Sequence, residues 1–234
     1  MTTVDYLLRL GDDALITAQR FGAWYAAGPE MEEDVALANI ALDQLGAARL
    51  LLTYAGDLEG AGRDEDALAY RRDAAAFRNC RLVEQPEPDF AHVIAKLLLL
   101  SAFQLPLYEA LAAGGDERLA AIAAKARKES AYHLDHSTLW TLRLGDGTDE
   151  SHRRMQGAFD TLWPYVDGLF KGADGPVELD TIRGPWSSTV EGVLGRATLT
   201  VPPAVDEPTG ERKHLVELLA EMQQLHRDHP GARW

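Results

Sequence analysis

Apolar side chains return at three- and four-residue intervals along most of this chain, and the strict alternation of a strand is almost absent. The clearest stretch is ERKHLVELLAEMQQLHRDH, where Leu215, Leu218, Leu219, Met222 and Leu225 share one helical face between Gly210 and Pro230. The same periodicity predicts a first helix in GDDALITAQRFGAWYAA, capped by Asp12 or Asp13 and stopped at Gly28-Pro29. A second is expected from about Met31 to about Leu58, with Glu32, Glu33 and Asp34 placed to suit its dipole. So long a helix offers more face than one small core needs. A shorter helix should follow Gly62 through DEDALAYRRDAAAFRNCRL. A third long helix lies in DFAHVIAKLLLLSAFQLPLYEALAAGG, capped by Asp89, closed by Gly114-Gly115, and bent or divided at Pro106. A fourth runs from about Asp116 to Leu144, and a fifth lies in DESHRRMQGAFDTLWPYVDGLF. After Phe170 the chain reads as loop, with a short helix near Trp186 to Arg196 and an extended TLTVPP. The expected architecture is all-α: an up-and-down helical bundle forming a single domain over 1–234, with a core at about 12–144 and additional C-terminal helices at about 148–234.

Composition narrows the partners. The 234 residues carry 37 acidic and 23 basic side chains, a net charge of −14, which repels phosphate backbones and anionic lipid. Neither nucleic acid nor membrane is expected as a partner. The one cysteine, Cys80, forbids an internal disulfide or a thiolate metal cluster. Arg78 and Arg81 beside it could lower its pKa, although a lone packed cysteine is the usual case. MTTVDYLLRLGDDALI lacks a basic segment followed by an apolar one, so no secretory signal is expected and the location reads as cytoplasmic. The run LLLLSAFQLPLYEALAA is interrupted by Gln104, Pro106 and Glu109 and reads as a core helix.

Three helices place a polar residue inside an apolar stripe. The fourth aligns Ile122, Ala126, Glu129, His133, His136 and Trp140; the second aligns Ala36, Ile40, Asp43, Ala47, Leu50 and Tyr54; the first holds Gln19 between Leu15 and Gly22. Buried polar groups at matching depth suggest a site or its remnant. A di-iron carboxylate centre takes a Glu from each of two helices and Glu-x-x-His from each of two more. Here Tyr132, not a histidine, stands three residues after Glu129, with His133 one further on; Gly46 stands three after Asp43. The third helix offers Leu97, Ser101, Gln104 and Tyr108 in its interior, none of them acidic. That tally favours a hydrogen-bonded polar network of Asp43, Glu129 and His133 over an intact di-iron site. Trp234 is a large terminal aromatic, for which an interface with a partner is one home and its own bundle another.

The stretches EEDVALANIALDQLGAARLLLTYAGDLEG, RNCRLVEQPEPDFA and AAIAAKARKESAYHLDHSTLWTLRLGDGTDES, with the PG-x-x-W terminus, resemble the C-subunit family of the bacterial phenylacetyl-coenzyme A epoxidases, and the likeness spans nearly the whole chain. The resemblance implies a ferritin-like fold and a non-catalytic structural subunit of an oxygenase in aerobic phenylacetate degradation. It implies a related catalytic subunit with di-iron as partner, and a reductase subunit delivering electrons from NADPH through FAD and an iron–sulfur cluster, with no cofactor or metal in this chain. It makes Asp43, Gly46, Glu129 and Tyr132 the eroded equivalents of two Glu-x-x-His motifs, matched by spacing, and Gln19 that of the first-helix glutamate. Single-metal binding by Asp43, Glu129 and His133 stays open. So do two competing functions, an independent metal-binding ferritin-like oxidase and a helical scaffold for another partner.

Overall fold

In a computed structural model of the chain, which describes residues 3–172 and 175–232, helices and connecting turns account for the structure, and no strand occurs among the described residues. The fold is all-α and ferritin-like. Its residues gather into two compact units, one running up to Gln85 and resuming at Thr209, the other Pro86–Pro208.

The first unit is built on α1 (Thr3–Gly22) and α2 (Met31–Glu59). They lie antiparallel: Gly11 faces Leu51 and Leu52, while Gln19 and Gly22 line one cavity with Ala38 and Leu42. Gly11 is where the backbones come close, since a Cβ there would stand 2.8 Å from Leu52 Cδ2. Gly60, at φ 68°, ends α2 by turning its N–H back to the Gly56 carbonyl. Short helices α3 (Glu65–Tyr70) and α4 (Arg81–Glu84) follow, with a 3-10 turn at Ala74–Ala76 between them. Helix α9 (Lys213–Asp228) packs on α3 and α4. Arg212 ties its start down, donating to Glu84 Oε1 at 2.7 Å and to the carbonyls of Phe77 and Asn79, both at 2.9 Å.

Two expectations fail in this unit. Helix α1 begins nine residues before Asp12, because Tyr6, Leu7, Leu8 and Leu10 bury with the rest of its apolar face. Asp12 and Asp13 are therefore mid-helix, not caps, and both are buried. Asp12 takes a two-pronged contact from Arg72 and the Arg78 N–H at 2.8 Å; Asp13 takes the Cys80 N–H at 2.7 Å and Arg9 Nε at 2.7 Å. The expected helix after Gly62 stops at Tyr70, and further on those carboxylates take the Arg78 and Cys80 amides that a helix continued to residue 80 would have used.

The second unit is built on α5 (Phe90–Ala112) and α6 (Glu117–Gly145), antiparallel by the pairings Phe90 with Trp140, Ser101 with Ser137 and Glu109 with Arg127. Asp89 and Asp116 cap them, accepting from His92 N at 3.0 Å and Leu119 N at 2.9 Å. Helix α5 runs unbroken through Pro106, with 16 of its 23 residues buried; tertiary burial outweighs the lost hydrogen bond. Helices α2 and α5 are both long and apolar enough to cross a membrane, and α5 spends that character on the unit's core. Helix α7 (Asp149–Leu162) opens on a Thr148–Ser151 capping box and passes into a 3-10 segment, Trp163–Phe170. Helix α8 (Asp180–Arg196) starts six residues before Trp186 and contains Pro185. Trp186 holds it, donating Nε1–H to the Leu99 carbonyl at 3.0 Å and resting against the rings of Trp163 and Phe170. TLTVPP forms no strand; Thr200 N instead donates to Gln156 Oε1 at 2.8 Å.

Candidate functional site

In the first unit the candidate positions sit on the flanks of the helix pair. The buried face of α2 runs through Leu37, Ile40, Gln44, Ala47, Ala48 and Leu51. Its buried polar residues are Glu33 in the first turn and Gln44 in the middle, while Asp43 and Gly46 are half-buried beside Gln44 and Leu50 is 41% exposed. Gln19 is half-buried near the end of α1. It lines a cavity of about 390 Å³ whose other walls include Leu15, Ala38, Leu42, Leu45 and Met222.

In the second unit the buried face of α6 carries Ile122, Ala126, Ser130, His133, Ser137 and Thr141. His133 has no exposed surface. Ser137 Oγ lies 3.4 Å from Ser101 Oγ of α5, and Ser101 also donates to the Leu97 carbonyl at 2.6 Å. Glu129 stands on the edge of this face and pairs with Lys125 one turn back. Tyr132 is 55% exposed and stacks near His136, ring centroids 6.2 Å apart. Lys96, fully buried in α5, is held by Glu87.

These donors do not fit a di-iron centre, which needs carboxylates and imidazoles converging on two ions. They amount to an amide at Gln19, a half-buried carboxylate at Asp43, no side chain at Gly46, a carboxylate engaged by a lysine at Glu129, an exposed phenol at Tyr132 and one buried imidazole at His133. Among the described residues no three His, Cys, Asp or Glu side chains form a group that could hold a metal ion. Cys80 offers no nucleophile: burial, with Asp13 adding to it, pushes its thiol well above the ordinary range, against the pull of Arg9. Trp234 lies outside the described residues.

Sequence reasoning missed the most heavily bonded polar groups, Asp12, Asp13, Arg72 and the Glu84–Arg212 pair. Their signal was available only as charged residue types inside apolar stretches. All of them tie chain segments together: Asp12 and Asp13 join α1 to the 72–80 connection, and Glu84 joins α4 to the start of α9.

The chain matches the family model described as phenylacetic acid catabolic protein over residues 1–234. It is 44% identical over 243 aligned residues to the C subunit of the 1,2-phenylacetyl-CoA epoxidase of Escherichia coli (strain K12), covering 98% of each chain. A match along the full length, together with an all-α structure built on two long antiparallel helix pairs, shows that this chain belongs to the phenylacetic acid catabolic protein family.

Proposed function

We propose that this chain is the C-type subunit of a multicomponent oxygenase that epoxidises the ring of phenylacetyl-coenzyme A, and that it supports the reaction without carrying the metal. The observation that carries the second half is the donor set. The positions where Glu-x-x-His motifs would fall hold Asp43 with Gly46 and Glu129 with Tyr132, and Glu129 is engaged by Lys125. The near full-length identity to a relative that bears the name of the epoxidase's C subunit supports the first half. On this reading the di-iron centre resides in a related catalytic subunit. NADPH, FAD and an iron–sulfur cluster serve a reductase component, and the assembly works in the cytoplasm.

The test is reconstitution with the remaining oxygenase subunits, with iron measured on each component. Turnover of phenylacetyl-coenzyme A should require this chain, yet the chain alone should neither turn over substrate nor keep iron through dialysis. Glu129→Gln and His133→Leu should leave turnover within a few-fold of the parent complex, whereas loss of a catalytic metal ligand costs orders of magnitude. Near-stoichiometric iron retained by the isolated chain, or complete loss of turnover in an assembled Glu129→Gln complex, overturns the proposal.

A further inference from the structure

In the second unit the 3-10 segment, the start of α8 and the connection that follows α8 border a cavity of about 670 Å³, lined by Trp163, Val166, Arg183, Trp186, Val205 and Asp206 among others. Its floor is aromatic. The ring centres of Trp163 and Trp186 lie 5.7 Å apart, with Trp186 buried and Trp163 half-buried. Glu207 fixes the rim: its Oε1 sits where a Cβ on Gly168 would stand 2.8 Å away, and its Oε2 lies 3.8 Å from Lys171 Nζ. That contact keeps Val205, 52% exposed, and Asp206 beside the tryptophans.

A guanidinium already stands on one side of this cavity and shows what the place can hold. Arg183 lies 4.2 Å from the centre of the Phe170 ring and donates to Asp167 Oδ1 at 2.8 Å. Trp163 and Asp206 offer the same two partners, an aromatic face and a carboxylate, without a cation of their own. Asp206 is exposed and, among the described residues, enters no hydrogen bond or ion pair; it acts on Lys171 only from a distance. The charge around the cavity is also unbalanced. Asp167, Asp180, Asp206 and Glu207 act on Lys171 and Arg183, which leaves two negative charges over. An anion is repelled there, and a neutral ring leaves Asp206 unanswered. A planar cation satisfies both the aromatic face and the carboxylate. Guanidinium suits them better than ammonium, because it stacks on a ring and is more weakly hydrated. We infer that this cavity is a guanidinium site, which holds an arginine side chain against Trp163 with its charge answered by Asp206. The arginine is free or displayed by another protein chain. The inference does not depend on the reading of this chain as an oxygenase subunit.

The test follows the indole N–H signals of the isotope-labelled, full-length chain, with the Trp163 signal identified by its loss in Trp163→Phe. N-acetyl-arginine methylamide should shift that signal saturably. The lysine analogue should bind more weakly, and the citrulline analogue, which keeps the shape without the charge, should not bind. Asp206→Asn should weaken binding of the arginine probe by about threefold or more, the scale of one exposed ion pair. Asp206 is exposed, so the variant's helical content and melting should match the parent. Binding should also weaken as salt rises. Repeating the titration by calorimetry on the chain assembled with the other oxygenase subunits separates the two sources. A response that disappears there places an arginine of another subunit in the cavity, and one that persists gives the site to a free ligand. Equal binding of the citrulline analogue, undiminished binding by Asp206→Asn, or no saturable shift at Trp163 overturns the inference.

Discussion

Replacing Asp12 should be the most damaging single change in the first unit. The carboxylate has no exposed surface and the Arg72 side chain is 4% exposed, so neither charge has water to fall back on. Asp12→Ala removes both prongs of the Arg72 contact and the acceptor of the Arg78 N–H. Taking one partner from a buried ion pair costs about 3–5 kcal/mol, and an orphaned buried donor costs about 1–3 kcal/mol more. Some of that is recovered locally, because Arg72 keeps the carbonyls of Leu68 and Ala76 and lies 4.3 Å from the centre of the Phe77 ring. The net expectation is a loss of roughly 4 kcal/mol, a large share of the ~5–15 kcal/mol that holds a typical domain folded.

Urea titration followed by circular dichroism reads this directly, and melting should fall by roughly 10 °C. Asp12→Asn should lie between parent and alanine, since an amide oxygen can still accept from Arg78 while the charge is gone. Asp12→Leu combined with Arg72→Leu should be less damaging than the sum of its singles by about 2 kcal/mol or more, because it leaves no unpaired charge behind. A loss below about 1 kcal/mol in Asp12→Ala, or strict additivity in the double variant, would show that this pair does not hold α1 to the connection at 72–80.

The Cys80 thiol is buried and pushed up by that burial, so disulfide-exchange reagents at about pH 8 should label it only as fast as the protein opens, and at once in urea; rapid labelling of the folded chain refutes this. Gly56→Ala should cost about 1–3 kcal/mol in the same titration, because its Cβ would sit 2.1 Å from the Arg63 carbonyl oxygen and backbone must move; an unchanged midpoint refutes the close approach. Lys171 and Arg183 hold the Asp167 carboxyl below the usual carboxylate range, so its contribution is present above the unfolded pKa and disappears as pH falls through the depressed folded value. Asp167→Asn should therefore lower melting slightly near pH 7, by less than about 1 kcal/mol for so exposed a group, and the gap to the parent should close in acid; a gap that widens in acid refutes the pairing.

What the sequence made legible follows the range of the interactions. Asp89 was readable as a cap because the amide it accepts lies three residues ahead. Asp12 and Asp13 have the same residue type in a similar setting, yet the amides they accept belong to Arg78 and Cys80, more than sixty residues away, and no local pattern separates the two uses. The polar stripes were harder still. Neighbouring residues on a helix differ by about 100° in direction, so a stripe drawn one residue off still looks apolar in an alanine- and leucine-rich helix. That is how Asp43 and Glu129 read as interior while Gln44 and Ser130 occupy the buried faces.

Helix α2 carries the same ambiguity. Its length predicted more apolar face than one core needs, but composition alone could not say which of its two apolar stripes turns inward. The chain buries the one through Leu37, Ile40 and Leu51, where Gly11 lets α1 come close, and leaves Leu42 and Leu45 outside. Holding Leu42 and Leu45 in water is unfavourable for an isolated chain, and polar residues could replace them there at little structural cost.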